Sequence, residues 1–228
     1  MSTLFICGAG NVEGVRLARR VNEAERRWDR IVILDDDPEK HGRRLAGEEI
    51  IGPFDELRNG DPETDEVSNM VARSTAGRWA AREKIASFGL PFATLIHPSV
   101  DRESVTFLSS DVTAYQNAVL GAECKIDEGG VVFMGACLGH GASMGRCSVL
   151  APGAIINARV EVGLGVYVGS NASVLPDLAV GDWTTIGACS MVLQSVASGS
   201  MVMGVPGKAL QMRKGDPMPH QLRAEQRS

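Results

Sequence analysis

The chain has 228 residues, of which 44% are hydrophobic and 22% charged, and its formal net charge is -5. That is enough apolar material to build a core, and the composition excludes a disordered polyelectrolyte. The acidic balance gives no basic footprint for nucleic acid, so a phosphate-bearing ligand would have to be met by local backbone N–H donors rather than by a general positive field.

In chain order, Leu4-Phe5-Ile6-Cys7 is a short apolar run suited to a strand buried on both faces. The segment MSTLFICGAG has no basic region ahead of that run and reads as a strand, not a signal peptide. Gly8-Ala9-Gly10 turns the chain, and Val12, Val15, Ala18 and Val21 carry helical spacing. Arg30 to Leu34 reads as a second strand, followed by Asp35, Asp36 and Asp37. Pro53 to Leu57 starts a short element, Glu66 to Ala72 a third strand, Ala76 to Phe88 a helix and Phe92 to Ile96 a last strand. Strands alternating with helices imply a parallel sheet with right-handed crossovers, over residues 1–98.

Residues 99–107 are irregular. From Leu108 to Val192 every sixth residue is aliphatic or methionine, Ala114 being the only small one among fifteen. The fifth position of each unit is mostly small or β-branched, and the second is often glycine, as at Gly121, Gly139, Gly145, Gly163, Gly169, Gly181 and Gly187. A helix turns about 600° in six residues and would scatter the aliphatics around its axis. In a strand, the first and fifth positions share one face of the pleat. The pattern therefore predicts stacked short strands, with the second-position glycines supplying φ > 0 corners. Three strands per turn give five coils, roughly 24 Å tall at about 4.8 Å per coil. Such units bury their apolar face only by stacking. This prism occupies residues 99–214, and a polar tail, 215–228, follows.

The chain has five cysteines, Cys7, Cys124, Cys137, Cys147 and Cys189, an odd number with no C-x-x-C pair. They read as reduced, buried thiols of a cytoplasmic protein. No stretch approaches the ~20 apolar residues of a membrane span.

The tandem [LIV]-G-x-x-[STAV]-x units, closed by Gly204-Val205-Pro206-Gly207-Lys208, resemble the hexapeptide acyltransferases. With the α/β unit in front, Gly8-Ala9-Gly10, Asp35-Asp36 and Leu95-Ile96-His97-Pro98, the chain is similar to the sialic acid O-acetyltransferase and bacillosamine or perosamine N-acetyltransferase group. The resemblance implies a Rossmann-like α/β domain that binds a nucleotide-linked amino sugar. It implies that the prism behind it is a left-handed parallel β-helix, and that the protein is a homotrimer with acetyl-CoA, the acyl donor, in the clefts between subunits. It also implies a catalytic histidine at the third position of a hexapeptide, which here is His140.

That histidine is the only one inside the repeat; the others are His41, His97 and His220. A base with a pKa near neutrality suits removal of the proton from an attacking amine or hydroxyl. Where the family usually has an acidic residue next in the chain, this sequence has Gly141. Phe133 stands where an asparagine is common, Val149 where some members carry a second histidine, and Asn11 where histidine is frequent. Gly8, Ala9, Gly10 and Asn11 are candidates to hold a phosphate at a helix start, and Asp35 and Asp36 to accept from ribose or base donors. Matched to acetyl-CoA positions are Ala158, Gly169, Ser170, Gly187, Ala188, Val205, Pro206 and Lys208. Ala158 would offer its backbone N–H to the thioester carbonyl, and Lys208 would pair with a CoA phosphate. Trp79 is expected to pack its helix, and Trp183 to face outward where another subunit could meet it. The expected activity is N-acetylation, with sugar O-acetylation or a non-catalytic trimeric scaffold or sugar-nucleotide sensor as alternatives. A zinc enzyme of the γ-carbonic anhydrase type would need three histidine ligands, so no metal is expected.

Overall fold

The computed structural model describes residues 1–103 and 105–211, so the polar tail and His220 lie outside the described residues. The N-terminal apolar run forms β1 (Thr3–Cys7), which pairs in parallel with β2 (Arg30–Leu34) and with β5 (Glu66–Asn69). β4 (Glu48–Gly52) pairs in parallel with β2 and antiparallel with β3 (Arg44–Leu45), completing the order β3-β4-β2-β1-β5. The third strand ends at Asn69, three residues before the expected Ala72, because the Asn69 side chain turns back to accept from the Val71 N–H. The β3–β4 hairpin was not signalled by any periodicity; its turn, Ala46-Gly47, sits at positive φ. The element begun at Pro53 is a 3-10 turn, Phe54–Asn59.

Helix α1 (Val12–Glu25) is capped by the Asn11 carboxamide, which accepts from the Gly14 N–H at 3.2 Å, and it buries Val15, Leu17, Ala18 and Val21. Helix α2 (Thr75–Ala86) is capped by Ser74. No helix among the described residues is long and apolar enough to cross a membrane.

The hexapeptide run folds as fifteen two-residue strands, from Phe107–Leu108 to Met191–Val192, stacked in parallel as three sheets of five coils, consistent with a left-handed β-helix. The first face carries outward Phe107, Lys125, Ser143, Glu161 and Ala179; the second Thr113, Val131, Val149, Tyr167 and Thr185; the third Val119, Cys137, Ile155, Ser173 and Met191. First- and fifth-position side chains fill the interior as one apolar cluster. Of the expected last strand, Phe92 bridges Val67 of β5 in parallel, but Leu95–Ile96 (β6) leaves the α/β sheet. It pairs with Thr113–Ala114 and is an end rung of the second face, whose other end is extended by β22 (Ser200–Met203) and β23 (Lys208–Gln211).

The second-position glycines do not supply positive φ. The left-handed corner residue is the fourth of every unit from Leu108 to Ile186, and it is often not glycine: Asn117, Glu123, Arg159, Asp177 and Trp183 lie at φ 55–62°. All of the second-position glycines except Gly187, whose nearest neighbour would be 3.3 Å away, are required by proximity instead. A Cβ on Gly121 would lie 2.5 Å from the His140 nitrogen, one on Gly139 2.7 Å from the Asn157 carbonyl carbon, and one on Gly169 2.5 Å from the Ala188 nitrogen. Each coil's corner presses on the backbone of the next.

The α/β unit covers the second face. Val131 and Val149 are buried in one cluster with Leu4, Ile6, Leu95 and Tyr115. Alongside, Arg78 of α2 is wholly buried and donates to the carbonyl oxygens of Gly129, Asn69 and Val71. Asp111 is equally buried, 3.6 Å from Arg78 and 3.5 Å from Arg82. Its removal from water pushes its carboxyl up to about 6, against the two guanidinium groups. Trp183 is exposed, as expected, and also meets Trp79 of the same chain at 5.5 Å between ring centroids, which ties α2 to the prism. Cys7, Cys124 and Cys147 are buried as expected, but Cys137 is half-buried and Cys189 exposed.

Candidate active site

The site residues expected from the sequence divide among three places. The first is the prism edge between the third and first faces. His140 stands exposed there at a third position, and Ala158 occupies the same position one coil further on. The Ala158 N–H, like the other third-position amides of this edge, makes no backbone hydrogen bond among the described residues. His140 Nε2 lies 3.1 Å from Nη1 of Arg159, whose Nε and Nη2 grip the Asp177 carboxylate at 2.6 and 2.9 Å. The ring's partner is thus a guanidinium held by a carboxylate two coils away. Arg159 holds Asp177 below the usual carboxylate range and is itself raised by it. Sequence reasoning missed both residues. Their signal was the 18-residue spacing of one coil: His140, Ala158 and Asp177 fall in one column within a residue.

The second place is the edge between the second and third faces. Gly169, Ser170, Gly187 and Ala188 line a cavity of about 430 Å3 there, with Arg73, Ser74 and Thr75 from the start of α2 and with Met203. The tip of the β22–β23 hairpin folds toward the third face, where the Gly207 N–H donates to Met191 O and the Met191 N–H to Gly204 O. This places Val205 and Pro206 at the end of the same edge, with Lys208 exposed at the start of β23. Small residues on this edge leave its backbone open to a ligand. Of the expected acetyl-CoA set, Ala158 alone lies elsewhere, beside His140.

The third place is a cavity of about 780 Å3 at the C-terminal end of the α/β strands, lined by Gly8, Gly10, Asn11, Asp35, Asp36, Lys40, Lys84, Arg73 and Phe133. Gly8 needs its missing Cβ, since its φ is +108° and Val71 crowds it at 3.1 Å, whereas a Cβ on Gly10 would meet nothing within 4 Å. Ala9 does not line the cavity; its N–H donates to Asp35 Oδ2 at 2.7 Å. The other Asp35 oxygen accepts from the Asp37 N–H, and Lys40 Nζ reaches both. Burial pushes the Asp35 carboxyl up, but these bonds outweigh it and hold the group below its ordinary value. Asp36 accepts from the Phe54 N–H and from Lys84 Nζ. Both carboxylates are thus engaged within the chain, and the two lysines, missed in the sequence, stand beside them in the cavity. Asn11 spends its amide on the prism, donating to the Tyr115 hydroxyl at 2.7 Å, and Tyr115 stacks on Phe133 at 4.7 Å. Burial raises the Tyr115 phenol to about 12, so it stays protonated.

Arg73 lines both cavities, so the second and third places adjoin within one chain. His140 does not join them. It lies across the full width of the third face.

No protein-family model matches the chain. Among solved structures, the chain is similar to the acetyltransferase domain of PglB from Neisseria gonorrhoeae FA1090 in complex with acetyl coenzyme A, at 25% identity over 91% of this chain and 98% of that one, with a TM-score of 0.82. It is also similar to PerB from Caulobacter crescentus in complex with CoA and GDP-perosamine (23% identity, 91% and 97% covered, TM-score 0.78). WeeI from Acinetobacter baumannii AYE shares the fold at 18% identity, with 92% and 100% covered and a TM-score of 0.79. The likeness to the PglB acetyltransferase domain supports an acyltransferase of the kind the sequence resembles, while PerB and WeeI share the fold.

Proposed function

We propose that the chain transfers an acetyl group from acetyl-CoA to the amine of a nucleotide-linked amino sugar, as a cytoplasmic homotrimer whose active sites form between subunits, with His140 as general base. The observation that carries this reading is the division of the site between two prism edges. The third face between them is uncovered and apolar outward, with Val119, Ile155 and Met191 exposed by 54%, 43% and 37%. Copies of the chain packed with this face toward a threefold axis would abut edge to edge. The His140 edge of one copy would then meet the Ser170 edge of the next, completing the site. The first face, bearing Lys125 and Glu161, would stay in water.

The Rossmann-like α/β unit supplies the acceptor site. Its glycine turn leads into α1, and Lys40, Lys84 and Arg73 give the cavity the cationic groups a diphosphate requires. Gly169, Ser170, Gly187 and Ala188 let a pantetheine chain lie close to backbone, with Val205, Pro206 and Lys208 at the far end of the edge. The PglB domain, at 25% identity, was solved with acetyl-CoA on this fold, and PerB with CoA and GDP-perosamine.

In the reaction, the acceptor nitrogen attacks the thioester carbonyl carbon, and a C–N bond forms while His140 takes the proton released. The Ala158 N–H stabilises the charge developing on the carbonyl oxygen, as a preorganised donor does. The C–S bond then breaks, and the proton passes from His140 to the departing sulfur, returning the ring to its neutral state. A general base of this kind contributes about 10²–10⁴-fold to the rate.

The test is thiol release from acetyl-CoA with a panel of UDP-, dTDP- and GDP-linked 4-amino sugars, in wild type and His140→Ala. Acceptor-dependent release that falls by roughly 10²-fold or more in the variant is expected. Equal release in both proteins would remove His140 from the mechanism, and no release with any acceptor would count against the function itself.

A further inference from the structure

We infer that Arg159, clamped by Asp177, is the residue that positions His140, holding its ring neutral with the proton on Nδ1 and the lone pair on Nε2. A guanidinium has only donors and cannot accept. The 3.1 Å contact between Arg159 Nη1 and His140 Nε2 therefore requires Nε2 to be the acceptor. An imidazolium, or the neutral ring with its proton on Nε2, would set donor against donor. In the imidazolium it would also set cation against cation.

The aim of Arg159 is fixed from behind. Its Nε and Nη2 fork onto the two oxygens of Asp177, which sets the plane of the guanidinium and leaves Nη1 pointing to the ring. The backbone keeps these residues in register: the Arg159 N–H donates to His140 O at 2.9 Å, and the Asp177 N–H to Ala158 O at 3.0 Å. A residue from each of three successive coils thus forms one column, Asp177–Arg159–His140. The column answers the question raised by Gly141. The ring has no carboxylate neighbour in the chain; its orientation comes from a carboxylate acting through an arginine.

This inference rests on the reading of His140 as the base. In that role the incoming amine replaces Nη1–H at Nε2, and Nε2 takes the proton as the C–N bond forms. Arg159 stays on Asp177 and touches no reacting atom.

The experiment uses the full-length chain with 15N-labelled histidine, in wild type, Arg159→Met and Arg159→Lys, with His140 assigned by the signal lost in His140→Gln. Two-bond 1H–15N correlation reports the tautomer directly. Wild type is expected to show His140 protonated on Nδ1, and Arg159→Met to shift it toward the Nε2–H form that an unconstrained imidazole prefers. In the thiol-release assay, Arg159→Met is expected to lower kcat about tenfold with KM within about twofold, and Arg159→Lys to restore part of the loss. An Nε2–H or doubly protonated ring in wild type, or a Met variant with unchanged shifts and rate, would overturn the inference. The expected shifts in a protein that releases no thiol with any acceptor would uphold the positioning and refute the acetyl-transfer reading instead.

Discussion

Replacing Gly139 by alanine separates two explanations for glycine in a hexapeptide prism. If these glycines served the backbone angle, alanine would cost most where φ is positive. Gly135 is such a position, at φ +68°, and a Cβ there would meet nothing within 4 Å. Alanine at 135 should therefore cost only the left-handed penalty, roughly 1–2 kcal/mol. At Gly139 φ is not positive, but the added Cβ would lie 2.7 Å from Asn157 C, 2.8 Å from Ala158 N and 2.9 Å from Asn157 O. Carbon atoms prefer about 3.5–4.0 Å, so the coils must part by most of an ångström. The atoms that must yield are backbone, pinned on either side by Cys137 N–H to Ala154 O at 2.8 Å and Gly139 N–H to Ile156 O at 2.7 Å. Overpacking of this kind costs about 1–3 kcal/mol and more where the surroundings cannot relax. Gly139→Ala should therefore sit at or above the upper end of that range, a fall in Tm of roughly 6–12 °C for a chain of this size. It should also move Ala158 relative to His140 and depress activity in the surviving fold. Thermal unfolding by circular dichroism, run beside Gly135→Ala, reads the result. A Gly139→Ala protein as stable as wild type, or more stable than Gly135→Ala, would refute the close-approach argument.

Other consequences follow from the junction and the exposed face. Asp111 has a folded value of about 6 against 3.8 in the open chain, so the stability it contributes is fullest below pH ~4 and is lost as pH rises to about 6. Asp111→Asn should flatten the pH dependence of the denaturation midpoint within that window, and an unaltered slope would show that Asp111 does not set it. Arg78→Met should destabilise by roughly 3–5 kcal/mol in chemical denaturation, because it strips the carbonyl oxygens of Gly129, Asn69, Val71 and Asp111 of a donor and leaves Arg82 as the one guanidinium beside the Asp111 carboxylate. Ile155→Glu puts a charge in the middle of the third face. Sedimentation should then find monomers of unchanged secondary structure, whereas Glu161→Lys on the first face should leave the assembly intact.

The prism was legible because its period is short and its physics selective: only strands put the first and fifth positions of a hexapeptide on one side. The same reasoning assigned the glycines to the wrong cause. Local sequence does not reveal that coil n+1 passes so near the second position of coil n, and the fourth position tolerates asparagine, arginine or tryptophan in the left-handed region. In the α/β unit the first two strands and both helices were readable from apolar runs and spacing. Leu95–Ile96 was readable as a strand but not as a rung of the prism, since its partner, Thr113–Ala114, is identified only by the closed coil. Among site residues, His140 could be singled out by resemblance, yet the column of Arg159 and Asp177 needed the residues to be read down a prism edge, one coil at a time. Asp35 and Asp36 show the reverse case. Their position after the second strand pointed to the cavity, which both line, but their bonds to Ala9, Phe54, Lys40 and Lys84 within the chain could not be read from it.

The central claim, that His140 of one copy serves the Ser170 edge of another, has a direct test by complementation. His140→Ala chains lack the base, and Ala188→Trp chains have a blocked edge, so each variant alone should release no thiol above background. Unfolded together at equal amounts and reassembled, the two should recover roughly a quarter of wild-type activity, the share of interfaces that pair an intact His140 with an intact edge. Mixed assemblies that stay as inactive as their parents would contradict the account.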